Sequence, residues 1–188
     1  GFILISENFN ISWSEKKNLI RKGIPELLKA VKILKNQNIE VILNLAGYKG
    51  DGIDFLFNMV NQLDINKNVN YIGTINRHDK IQILKSSSIY VQPSHYEGFG
   101  LAVAEAMGCG ACIITCDVGA IKSVVGDAGI YVPPGSPNEL AEAIKKVIND
   151  DSLRFALQKK AYQRASEYFS FTTKLDNLKN HLKNLKII

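Results

Sequence analysis

No apolar run in this chain approaches the ~18 residues that a membrane-crossing helix needs, so no transmembrane segment is expected. The opening "GFILISE" has neither a basic stretch nor a small-residue cleavage site, and no secretory leader is expected. Arg-rich or aromatic-interleaved patches are lacking, which sets nucleic acid aside as a partner. Cysteine is scarce and local. Cys109, Cys112 and Cys116 have the C-x2-C-x3-C spacing, but no His or fourth Cys completes a tetrahedral set, and no metal is expected. Cys112 and Cys116 fall in the apolar run "ACIITC", where Cys behaves as a small buried hydrophobe. Free thiols fit a reducing, cytoplasmic compartment.

What is present is ordinary in amount. Apolar residues make up 46% and charged residues 22% of 188 residues, the composition and size of one globular domain with a proper core. The net charge of +5 favours phosphate-bearing partners or an anionic membrane surface. It is equally the charge of a solvated, Lys-rich helix surface.

The order of apolar runs says more than their amount. Runs at 2–6, 41–46, 69–72, 89–92, 111–115 and 129–132 read as strands covered on both faces. Helical patterns lie between them at 25–36, 53–63, 79–86, 101–107 and 121–125. This alternation predicts an α/β fold: a doubly wound parallel sheet of about six strands, Rossmann-like, with C-terminal helices. After "VPPGSPNE" the chain turns helical at 137–149, 152–169 and 172–186. Ser136 is the expected cap of the first of these, with Pro137 at its first position and Glu139 closing a capping box. Leu175, Leu178, Leu182 and Leu185 stripe the last helix.

Ligands of such sheets bind outside the carboxyl ends of the strands. There stands "IYVQPSHYEGFGLAVAEAMGCG", residues 89–110. Gly98 and Gly100 permit close approach of a ligand to the backbone. The helix that follows points free N–H groups at the turn, an anion site suited to phosphate. Glu97 stands before this helix and Glu105 within it. Two carboxylates beside a phosphate site are poor phosphate ligands but good hydroxyl acceptors, and a sugar nucleotide offers both groups. Another reading takes strand, Gly98-x-Gly100, helix, strand and Asp117 as a nicotinamide-dinucleotide fingerprint, but its third small position is Val103. Either acid also fits an exposed position on a turn or a helix.

The run "PSHYEGFGLAVAEAMGCGACIITCDVGAIKSVVGDAGIYVPPGSPNELAEAI" resembles the C-terminal, donor-binding domain of retaining glycosyltransferases of the GT-B fold, and is most similar to glycosyltransferase family 4. "RKG", "VILNLAG", "VNYIGTI", "LKSSSIYVQPS" and the terminal "FSF" fall in that family's order, so the resemblance covers nearly the whole chain. Its most specific mark is the E-x7-E of Glu97 and Glu105.

The resemblance implies transfer of a hexose from a nucleotide-diphosphate sugar to a glycan, lipid or other acceptor, with no cofactor beyond the donor. It implies that Glu105 hydrogen-bonds the ribose hydroxyls and that Glu97 faces the transferred sugar and its leaving phosphate. The backbone of Gly98, Phe99, Gly100 and Leu101 would line sugar and diphosphate, Lys22 would neutralise the diphosphate, Ile75 would stand in the base-contacting loop, and Gly119 would form part of the "GG" turn. Glu97 and Lys22 are thus the expected catalytic pair. The absence of any D-x-D acid pair fits a diphosphate held by Lys22 and a helix terminus rather than by a metal.

Three departures stand out. The family's Gly-Arg after the first strand reads "ISENFN" here, with Lys16, Lys17 and Arg21 as substitutes in the long "SWSEKKNLIRKG" segment. The second Gly of "GG" is Ala120, and the usual Pro-Glu is Lys122-Ser123. A nucleotide-sugar-binding module without turnover is therefore the alternative function. The family's N-terminal domain, which supplies the acceptor site, has no counterpart in these residues, so 1–170 is expected to be the donor domain and 171–188 a helix packing toward that absent half. A basic enzyme with a lipid-linked acceptor would lie peripherally on the inner face of a membrane.

Overall fold

The computed structural model describes residues 2–8, 16–50 and 52–170. The elements run β1 (Phe2–Asn8), α1 (Lys16–Arg21), α2 (Ile24–Asn36), β2 (Val41–Gly47), α3 (Ile53–Gln62), β3 (Val69–Gly73), α4 (Arg77–Ser86) and β4 (Ile89–Gln92). They continue with α5 (Leu101–Gly108), β5 (Cys112–Cys116), α6 (Ile121–Val125), β6 (Gly129–Val132), α7 (Pro137–Asn149) and α8 (Asp151–Phe169). All strand pairs are parallel, in the order β3-β2-β1-β4-β5-β6. This is the doubly wound sheet that the alternating pattern predicts, and its order reverses between β1 and β4. The predicted helix 172–186, its leucine stripe and the segment 171–188 lie outside the described residues.

The sheet divides two cores. On one face α2, α3 and α7 pack Leu27, Leu28, Leu34, Leu56 and Ile144 against Ile89, Val91, Cys112, Ile114 and Cys116. On the other, α4, α5, α6 and α8 pack Leu84, Met107, Val124 and Ala161 against Tyr90 and Ile113. Successive residues of β4 and β5 thus serve opposite cores, as the period of two in a strand requires. Burial on both faces is why these strands read as continuous apolar runs. It also pushes the Cys112 and Cys116 thiols up to about 12 and about 11.

Local chemistry moves several boundaries. Asn76 caps α4, its Oδ1 accepting from the Asp79 N–H at 2.9 Å, so the helix begins two residues before the predicted start. Asp150 caps α8 in the same way, accepting from the Leu153 N–H at 2.8 Å. Ser136 stands at the predicted cap of α7 but makes no side-chain cap bond. The six-residue α1 goes unannounced in the sequence because it buries only Asn18 and carries no helical stripe.

Candidate functional site

The crevice outside the carboxyl ends of β1 and β4 is built by two loops that press against each other. The α1–α2 turn, "RKG", lies against the loop that follows β4. At Gly23 (φ 71°) a Cβ would stand 2.0 Å from the Pro93 carbonyl oxygen, so no side chain fits there. The His95 N–H donates to the Arg21 carbonyl at 2.8 Å, and Arg21 Nη1 donates to the Tyr96 carbonyl at 2.9 Å. On the far side, the loop after β5 closes on the same backbone: at Gly119 (φ 56°) a Cβ would meet the Glu97 carbonyl oxygen at 1.8 Å.

These contacts bring Lys22 to Glu97 across 75 residues of sequence, where Lys22 Nζ donates to Glu97 Oε2. Both side chains are largely buried, 13% and 14% exposed. Glu97 Oε2 also accepts from Gln92 Nε2 at 2.9 Å, and Gln92 Oε1 accepts from the Tyr90 hydroxyl at 2.8 Å. Gln92 is itself fixed, for Thr115 Oγ1 donates to its carbonyl at 2.8 Å. Glu97 is therefore the outer end of a buried polar chain rooted in the sheet, not an exposed turn residue. Beside it α5 begins at Gly100 with no side-chain cap, leaving its first N–H groups for an anion. Gly98 is open, with nothing within 4 Å of where a Cβ would stand, and Phe99 and Leu101 are exposed.

Glu105 is half exposed, on the second turn of α5, and accepts from Lys80 Nζ at 2.5 Å. Lys80 comes from α4, just beyond the β3–α4 connection that holds Ile75. Ile75 thus stands on the same rim but on a different connection from the Glu97 cluster. A groove beside Glu105 is lined by Arg77, Phe99, Leu101, Tyr162 and Phe169, and Phe99 meets Phe169 edge-on at 6.0 Å. A smaller recess between Leu19, Ile24, Leu45, Tyr48, Leu56 and Tyr71 has no charged side chain in its lining among the described residues.

Sequence reasoning missed Gln92, Tyr90 and Lys80. Of the arginine substitutes, Arg21 is committed to the Asn18 side chain, at 2.8 and 3.1 Å, and to the Tyr96 carbonyl. Lys16 Nζ lies 4.8 Å from the Phe55 ring centre. Asp117 is bonded to Lys122 at 2.9 Å, and Val103, at the fingerprint's third small position, is fully buried. His95 Nε2 lies 3.6 Å from Glu26 Oε2, and that oxygen and Ser94 Oγ are buried with no hydrogen-bond partner among the described residues. Among those residues no group of three or more His, Cys, Asp and Glu side chains is arranged to hold a metal.

The strand order and the two-loop crevice define the class: this is the C-terminal, Rossmann-like half of the GT-B architecture. The chain belongs to the glycosyl transferases group 1 family, whose pattern matches residues 4–164. It is 34% identical over 175 residues to the capsular polysaccharide biosynthesis glycosyltransferase CapM of Staphylococcus aureus, covering 89% of this chain and 44% of that one. It is 31% identical over 149 residues to the O-antigen chain mannosyltransferase B of Escherichia coli, covering 79% of this chain and 39% of that one. The chain thus spans less than half the length of these two relatives. Among solved structures it is similar to the C-terminal domain of the group 1 family protein LpcC from Francisella tularensis. That match has a TM-score of 0.72 and 25% identity, and covers 90% of this chain and 86% of that one.

Proposed function

We propose that this domain is the donor-binding half of a retaining glycosyltransferase that moves a hexose from a nucleotide-diphosphate sugar to a glycan or lipid-linked acceptor. The observation that carries the reading is the buried Lys22–Glu97 pair at the crevice, beside the uncapped start of α5. An ammonium group has three donors. With one on Glu97, Lys22 keeps the others for a diphosphate oxygen, and the free N–H groups of α5 add fixed positive dipoles. Charge grows on that diphosphate as the glycosidic bond breaks, so both groups act most strongly in the transition state.

In this reading Glu97 faces the sugar and the leaving phosphate, with the backbone of Gly98, Phe99, Gly100 and Leu101 along the sugar and diphosphate. Gly119 holds the Glu97 backbone from behind. Glu105 takes the ribose hydroxyls and the Ile75 connection takes the base. The bond from the anomeric carbon to the phosphate oxygen breaks. The acceptor oxygen bonds to the same face of that carbon, and its proton passes to the departing phosphate oxygen. No side chain need attack the sugar, and the charge is met without a metal. The acceptor would sit on a second domain, and the names of the two polysaccharide-building relatives support a growing glycan as that acceptor.

Thermal unfolding with UDP, GDP, ADP, their sugar conjugates and NADH tests the reading, repeated with Glu105→Ala. A ligand at 100 times its dissociation constant stabilises by about 2.7 kcal/mol. The expected result is a shift with one nucleotide series that Glu105→Ala abolishes. A shift with NADH alone, indifferent to Glu105, would sink it. A second reading, donor binding without turnover, draws on the commitment of Arg21 to Asn18 and Tyr96, which leaves the family's missing arginine unreplaced from that position. Joined to a second domain, such a protein would bind donor and release no nucleotide.

A further inference from the structure

We infer that Lys80 is a positioning residue for the nucleoside end of the donor. It fixes and charge-compensates the Glu105 carboxylate, so that this group accepts a ribose diol beside a diphosphate. This role rests on the donor-site reading of Glu105 given above.

Three features fit the Lys80–Glu105 pair to this role. The first is a buried lysine reaching an exposed acid on another helix; Arg154–Asp151 has a like asymmetry, but within one helix. The Lys80 side chain is 14% exposed and Glu105 is 52% exposed. In the Lys122–Asp117 pair the corresponding values are 72% and 47%, and in Lys160–Asp127 they are 53% and 80%. Lys80 approaches from beneath, and the carboxylate opens outward. The second is the choice of oxygen. Lys80 uses Glu105 Oε2, and a carboxylate has about four acceptor sites over its two oxygens. Oε1 and the remaining side of Oε2 are left to meet two vicinal hydroxyls.

The third is the origin of Lys80. Its N–H makes the first backbone bond of α4, to the Asn76 carbonyl at 3.0 Å, and the Asn76 side chain caps the same turn. The turn that follows the Ile75 connection therefore also places the ammonium group. Base contact and ribose contact are tied to one rigid helix start.

Charge points the same way. A nucleoside diphosphate brings its phosphates close to its ribose. An uncompensated Glu105 would repel them, and a half-exposed site does not screen that repulsion fully. With Lys80 held against it, Glu105 presents acceptors without net charge. Lys22 does the same for Glu97. Each acid of the E-x7-E pair is thus matched by a lysine from another helix or turn, across 75 residues in one case and 25 in the other.

The test is calorimetric titration of the chain with UDP, GDP and ADP and with the 2′,3′-dideoxy form of whichever binds. The proteins are the wild type, Lys80→Met, Lys80→Arg and Glu105→Gln. Lys80→Gln serves as a second uncharged variant should Lys80→Met fail to fold. The wild type is expected to prefer the ribonucleotide by about tenfold or more, the scale of a hydrogen bond to a charged group. Glu105→Gln and Lys80→Met are expected to bring that preference to within about threefold. Lys80→Arg is expected to restore most of it. Preference lost in Glu105→Gln but kept in Lys80→Met overturns the positioning role and leaves the ribose reading intact. An equal fall in affinity for both nucleotides in Lys80→Met also overturns it, since a merely structural pair acts that way. A wild type with no ribose preference, or with no nucleotide binding, defeats the Glu105 reading and this inference together.

Discussion

Glu97 carries a charge that the fold has largely taken out of water, and its two donors, Lys22 and Gln92, are what make that tolerable. Removing one member of such a pair leaves the other charged and stranded. Glu97→Gln should therefore destabilise the domain by about 3 kcal/mol, read as a lower urea midpoint at unchanged slope. Combined with Lys22→Met it should cost less than the sum of the single changes, because the second change removes the stranded charge. The cysteines give the reverse case. Burial raises Cys116 from 9.0 to about 11 and Cys112 from 9.0 to about 12, so the folded state holds both protons where the unfolded state releases them. Their contribution to stability is intact below pH 9 and is lost as pH rises through 9 toward 11 and 12. An alkaline denaturation series should show the fall beginning near pH 9, and a thiolate-directed reagent should reach Cys112 and Cys116 only on unfolding. At this scale the sequence discloses Glu97, Glu105 and Lys22 because they stand in a recognisable motif. It conceals Gln92 and Lys80, whose meaning lies in what other loops bring to them. Gln92 is a polar end to an apolar strand, and Lys80 is one lysine on a polar helix. Neither has a local signature.

Loops, rather than helices or strands, hold the site together, and three glycines divide the labour. A Cβ at Gly23 or Gly119 would run into the Pro93 or the Glu97 carbonyl oxygen, and both residues have positive φ. Gly23→Ala and Gly119→Ala should each destabilise by more than about 1 kcal/mol and pull Lys22 away from Glu97, seen as a lower melting temperature and weaker nucleotide binding. Gly98 has open space around it. On the proposed donor reading, Gly98→Ala should leave the melting temperature nearly unchanged and weaken nucleotide-sugar binding alone, since the methyl group would then enter the path of the donor. The contrast would separate glycines that close the crevice from one proposed to admit its ligand. Strands are readable in the sequence because double-sided burial writes continuous apolar runs. The start of α4 is hidden because its cap, Asn76, precedes a stretch, "RHDK", with no apolar residue. The α7 start falls where its sequence signature places it, yet the Ser136 side chain makes no cap bond there.

Over the whole molecule, both cores share one sheet, and neither face can lose its helices without baring strands that the other face needs. Calorimetry should show a single unfolding transition, with the same midpoint by fluorescence and by far-ultraviolet dichroism. Two separated transitions would mean that the faces melt independently. The sequence reveals this architecture almost entirely, because strand–helix alternation constrains topology through the handedness of each crossover. The crevice depends on a distant meeting: β1 joins β4 through Leu4 and Ile89, and Lys22 finds Glu97 across 75 residues. During synthesis at about 5–20 residues per second, Lys22 leaves the ribosome several seconds before its partner exists. The first three strands and their helices emerge with one long edge unpaired, and only the arrival of β4 covers it. A chain arrested before residue 97 thus carries four of the six strands together with Lys22, Lys80 and Gln92, and neither of the acids they are built to meet.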